Sequence, residues 1–182
     1  MPDRYIRIRA LGRRLGLAVH VAIAALAAVF LWIAWDALTG AGWLSQVLTR
    51  AYAPPSPFAA TPVHAALLLV VIAVQFALFA RALRALGRAF AVIANADSIM
   101  PEAGLWTRHA GFAFLATAIA MIAAHPLNAL IMSIGAPPGS RFVSLAFSAG
   151  ELLALVVSGV LVLFGHLLAL AAEIDAENRE IV

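Results

Sequence analysis

The chain has no cysteine and no lysine, and few charges of either sign. Without a thiol there is no disulfide, no thiol catalysis, no iron–sulfur cluster and no cysteine-ligated zinc. Charged residues make up 12% of the 182, where a soluble domain carries about 25%. Hydrophobic residues make up 64%, well above the roughly half found in soluble domains. The net charge of +3 is small and comes with no basic recognition motif, which argues against direct nucleic-acid binding.

The charge that is present is sorted. Ten of the twelve arginines fall in three segments: Arg4, Arg7, Arg9, Arg13 and Arg14 at the start, Arg81, Arg84, Arg88 and Arg108 in the middle, and Arg179 near the end. Only Arg50 and Arg141 lie in the two segments between these. Cytoplasmic loops retain positive charge, so the alternation predicts an all-α integral membrane bundle of four transmembrane helices with both termini cytoplasmic. The predicted order is a basic lead at 1–14, span one at 15–37, an outer loop at 38–62 and span two at 63–86. A cytoplasmic connection at 87–107, span three at 108–133, an outer turn at 134–141, span four at 142–172 and a cytoplasmic tail at 173–182 complete it. Each span reaches or approaches the ~20 apolar residues that a bilayer core requires. These segments use nearly the whole chain, which predicts a single membrane domain. A basic lead before an apolar run also resembles a secretory signal, but signal cores run ~7–15 residues and favour an uncleaved span here. All-arginine basicity with abundant alanine points to a GC-rich bacterial genome, and so to a multi-pass protein of the bacterial inner membrane.

Local signals refine this plan. Trp32, Trp35 and Trp43 mark the outer interface, where indole rings settle. Pro54, Pro55, Pro57 and Pro62 forbid a continuous helix in the first outer loop. Trp43, Leu44, Val47, Leu48 and Tyr52 before them have helical spacing, and fit a short interfacial helix or, as the default, a loop packed over the bundle. Pro101 suits the first position of the third long helix and Glu102 its positive end. Pro126 is expected to kink that helix, and Gly135, Pro137, Pro138 and Gly139 make a tight turn. Gly12 and Gly16 have dimerisation spacing but lie at the edge of the basic lead.

Polar groups inside the spans are costly and therefore functional candidates. At ~1.5 Å per residue, His20, Gln75 and His166 count to one layer in the inner leaflet, and Asp36 and Glu151 to one layer at the outer boundary. His125 counts ~8 Å short of that outer layer and reaches it with tilt. Two histidines at equal depth on facing helices suit b-type haem, which makes His20 and His166 candidate axial ligands. A carboxylate near a histidine in a membrane suits a small transporter or channel component, which makes Glu151 and His125 candidates for that. The plainer reading of Glu151 is a structural hydrogen bond to His125, Asn128 or a loop group. Ser148, Glu151, Ser158, Gly165 and His166 share one arc of the fourth helix and are expected to face its neighbours. Asp36 reads as a helix-end residue meeting water. No catalytic triad, phosphate loop, zinc motif or carboxylate pair is in place, so the reading leans away from an enzyme, with no cofactor required.

Two stretches carry a family resemblance. Residues 165–182 read GHLLALAAEIDAENREIV, with Ala171, Ala172, Glu173, Glu177, Asn178, Ile181 and Val182 at its characteristic places. Residues 81–113 form a connection with Arg108 and Gly111 at the membrane entry. In these and in its four-span plan the chain resembles a bacterial family known as domain of unknown function 2975. It departs at Met100, Pro101 and Glu102, where a serine-type cap followed by acids is usual. The resemblance implies an inner-membrane protein with no assigned catalytic residues. It also implies a soluble cytoplasmic partner, because members are often encoded beside a small helix-turn-helix regulator. The tail, mixing acids with apolar Ile174, Ile181 and Val182, is a candidate docking element. The oligomeric state is not legible.

Overall fold

The structure, a computed structural model, describes residues 2–40, 42–55, 58, 60–95 and 101–180, with side chains from residue 10 to residue 178 among these. Residues 96–100, where the sequence predicts a turn, lie outside the described residues, as do the side chains of Arg4, Arg7, Arg9 and Arg179. The described elements are five α-helices: α1 (Pro2–Thr39), α2 (Trp43–Tyr52), α3 (Pro62–Asn95), α4 (Pro101–Met132) and α5 (Ala149–Glu180). Four of them, all but α2, are long and apolar enough to cross a membrane. Third and fourth spans are separated by a connection with no regular structure from 136 to 148 apart from one turn.

The long helices pack in a row. Substantial interfaces join α1 to α3, α3 to α4 and α4 to α5, and the edge helices α1 and α5 share no such interface among the described residues. The burial pattern follows from this. From residue 10 to 32, α1 is exposed everywhere except Gly12, Gly16, Val19, Ile23, Leu26 and Phe30. Those steps alternate four and three, the seam of a helix that packs on one partner. On α5 the seam is Glu151, Ser158, Gly165 and Ala172, buried at every seventh residue. The central helix α4 buries two such lines, Ala103, Ala110, Thr117, Ala124 and Ile131 on one and Gly104, Gly111, Ala118 and Met132 on the other. Small side chains dominate both lines because without a hydrophobic drive between helices in lipid, cohesion comes from close backbone packing.

The α4–α5 interface takes this furthest. A Cβ on Gly165 would lie 2.6 Å from the Arg108 amide nitrogen, and one on Gly111 2.7 Å from that of Val162. A Cβ on Gly104 would lie 2.8 Å from the amide nitrogen of Ala169. Gly12 is used within the chain, against Ala94 of α3, while Gly16 faces open space, so the two do not act as one close-packing motif.

Three sequence expectations change. Residues 2–14, read as a lead, begin α1 and are helical throughout. The loop default at residues 43–52 gives way to a helix, because Leu44 and Leu48 find a buried cluster with Leu68, Ile131 and Met132. The last helix begins at Ala149, not near Phe142. The segment before it is held by Ser133, whose Oγ accepts from Phe142 N at 3.2 Å. Pro101 does open α4, which then continues as helix through Pro126.

Asp36 explains how α2 forms. Its N-cap position is Gly42, in the left-handed region, with no side-chain cap of its own. The buried Asp36 carboxylate supplies it from the end of α1, accepting from Trp43 N at 3.3 Å and Leu44 N at 2.9 Å. A carboxylate on the first amides of a helix also meets the positive end of its dipole. Asp36 is therefore 6% exposed and does not meet water as expected. Trp32 packs on Trp43, ring centroids 4.4 Å apart, closing the same corner.

Candidate functional site

The polar residues of the outer half converge on α4 and the start of α5. Ser148 and Glu151 form a reciprocal cap: Ser148 Oγ accepts from Glu151 N at 3.2 Å, and Glu151 Oε2 accepts from Ser148 N at 2.8 Å. This is the Ser-x-x-Glu capping box, which satisfies two amides that a helix start leaves without partners. The second oxygen, Oε1, accepts from His125 Nε2 at 2.9 Å. Glu151 is 2% exposed, so both carboxylate oxygens are spoken for in a buried setting. One residue thus starts α5 and fastens it to α4.

Tyr52, at the end of α2, covers the other side of His125, ring centroids 5.9 Å apart. Its hydroxyl accepts from Asn128 Nδ2 at 3.0 Å. Asn128 Oδ1 is buried with no hydrogen-bond partner among the described residues. His64 makes a parallel tie one helix over. Its Nδ1 accepts from Thr61, and Nε2 donates to the Ile134 carbonyl at 3.1 Å, joining α3 to the turn after α4. Sequence reasoning placed Tyr52 only in a helical spacing and foresaw neither its tie nor that of His64: Tyr52 lies 76 residues from Asn128, beyond a proline-rich loop that carries no register signal.

The inner candidates do not converge. His20 is exposed on α1 and bonded to its own Gly16 carbonyl at 2.7 Å. His166 is exposed on α5 and bonded to the Val162 carbonyl at 2.9 Å. These helices are the two edges of the row, so the structure does not bring the histidines together. His166 also leaves the inward arc predicted for it: it follows Gly165 by ~100° around a helix whose buried seam is narrow. Gln75 is half-buried on α3 and makes no hydrogen bond among the described residues. Nor do the three share a layer. Val19, beside His20, lies against Gly87, twelve residues past Gln75, or ~18 Å along α3.

The inner end holds a second polar group. Arg81, Arg84 and Arg88 line one groove between α3 and α4 with Trp106 and His109. Arg88 lies over the Trp106 ring, its Cζ 4.5 Å from the centroid. No group of three metal-ligating side chains occurs among the described residues.

Comparison with protein-family models, with curated proteins and with solved structures returned no match. The functional reading therefore rests on this chain's own helices and polar groups. In the outer polar group both oxygens of Glu151 are paired, and the visible task of the group is to hold α2, α4 and α5 in register. The inner one presents cations.

Proposed function

We propose that this is a non-enzymatic protein of the bacterial inner membrane whose cytoplasmic face binds a soluble partner. The observation that supports this most is the length of the helices. The four long ones have 38, 34, 32 and 32 residues, or ~57 to 48 Å at 1.5 Å per residue, against a hydrocarbon core of ~30 Å. Their excess at the arginine end is packed helix, with Gly12 of α1 seated against Ala94 near the end of α3. A rigid helical platform bearing Arg13, Arg14 and the acids of the α5 extension suits protein recognition better than loops would. The resemblance of residues 165–182 to the family named above agrees with this and makes a small helix-turn-helix regulator the first partner to test.

A photo-crosslinking residue at Glu177 in cells should capture one soluble protein, and the same residue at Thr49 on the opposite end should not. Truncation before Glu173 should abolish capture by a second probe at Ala91. Equal capture at Glu177 and Thr49, or capture at Ala91 unchanged by the truncation, contradicts the proposal.

A further inference from the structure

The groove between α3 and α4 is the strongest unassigned feature. Arg81, Arg84 and Arg88 fall at helical spacing on one face of α3, all exposed, and line a cavity of about 690 Å³ with Trp106, His109 and Phe112. That volume is within the ~300–1,000 Å³ typical of ligand sites. None of the three guanidiniums has an ion pair among the described residues.

The depth of the groove gives this meaning. Gly12 faces Ala94, Val19 faces Gly87 and Phe30 faces Phe76, a single antiparallel register. It sets Arg88 level with Ala18, Arg84 with Ala22 and Arg81 with Ala25. Ala25 is the midpoint of the uncharged run 15–35 of α1. On the other side, Gly111, next to Phe112, lies against Val162, the midpoint of the uncharged run 152–172 of α5. Both edge helices therefore place the arginine stripe beside their own membrane-spanning stretch. From Arg88 to Arg81 it climbs ~10 Å. Cations held at such depth without a carboxylate require an anion, water or a route back to the headgroups.

We propose that this groove binds a phosphate group, that of an acidic phospholipid of the inner leaflet, clamped between Arg84 and Arg88 with Arg81 above them. The Trp106 ring under Arg88 Cζ steadies the guanidinium by cation–π attraction, and its N–H groups, which make no hydrogen bond among the described residues, can pair with phosphate oxygens. The open groove wall, with Phe112 exposed beside it, accommodates acyl chains. Basic pockets between helices at the cytoplasmic side suit such headgroups. The site is distinct from the partner surface proposed above and does not depend on it.

Native mass spectrometry of the full chain released from a neutral detergent tests this, with phosphatidylglycerol and phosphatidylcholine of equal chain length added in turn. Phosphatidylglycerol should be retained about tenfold or more over phosphatidylcholine, the scale of one charge-assisted contact. The variant Arg84→Gln/Arg88→Gln should lose that preference, and Arg50→Gln/Arg141→Gln, which removes equal charge at the opposite end of the bundle, should keep it. If the first variant is not recovered folded, Arg84→Gln alone makes the same comparison. Retention of phosphatidylglycerol in millimolar inorganic phosphate assigns the group to lipid, and its displacement assigns the site to a soluble phosphate. Equal retention of the two lipids, or equal loss in both double variants, overturns the proposal.

Discussion

Leucine at Gly165 will force α4 and α5 apart, with a loss of about 3 kcal/mol or more in detergent unfolding. The atoms in the way are backbone: even a Cβ would approach the Arg108 nitrogen at 2.6 Å and its Cα at 2.9 Å, where ordinary contact needs ~3.5 Å. No rotamer change relieves that clash, so the helices must separate along their tightest stretch. Separation also loosens Gly104 and Gly111 of α4, where an added Cβ would lie within 2.8 Å of α5. The control lies on the same helix. Gly159 has nothing within 4 Å of a Cβ, and Gly159→Leu should be neutral or gain up to about 1 kcal/mol from helix propensity. Comparable damage from both substitutions would mean that α5 does not pack on α4 by this face.

Loss of the Glu151 carboxylate is the second large effect. Glu151→Ala removes the reciprocal cap, about 0.5–2 kcal/mol, and leaves the Ser148 amide and the His125 N–H without an acceptor. The expected total is about 2–4 kcal/mol, because buried donors without partners cost more than the bond itself. His125→Ala should cost less, since its side chain is 29% exposed and Glu151 keeps the Ser148 amide. A double-mutant cycle should give a coupling of about 1–2 kcal/mol between the two. Strict additivity would show that the 2.9 Å contact contributes nothing to the fold.

These two sites show what was legible in the sequence. Arginine sorting and run length supply four helices, because the energetic cost of placing charge in lipid acts on each segment separately. Glu151 and Asp36 stand out for the same reason. Which face of a helix is buried is written much more faintly. In water the buried face is the apolar one; here every face is apolar, and only small and polar residues mark the seam. On α5 that signal works for Glu151, Ser158 and Gly165 and fails for His166, because a helix with one neighbour buries a stripe only about one residue wide. Depth counts fail for His20 and Gln75 because they assume that helix ends are level, whereas α1 and α3 are staggered along a continuous antiparallel seam. Helix α2 was ambiguous since its cap, Asp36, sits on another helix, eight residues before the Leu44 amide that it satisfies. The groove of Arg81, Arg84 and Arg88 went unrecognised because topology already accounted for its arginines.

The absence of cysteine makes the central claim directly testable, since any introduced thiol is the sole one. Single substitutions Thr49→Cys and Ser140→Cys at one end, and Ala91→Cys and Ala176→Cys at the other, are each exposed in bacterial cells to a membrane-impermeant maleimide, before and after permeabilisation. Thr49→Cys and Ser140→Cys should label without permeabilisation, and Ala91→Cys and Ala176→Cys only after it. Labelling of Ala91→Cys or Ala176→Cys in intact cells would put the arginine platform outside and contradict the account.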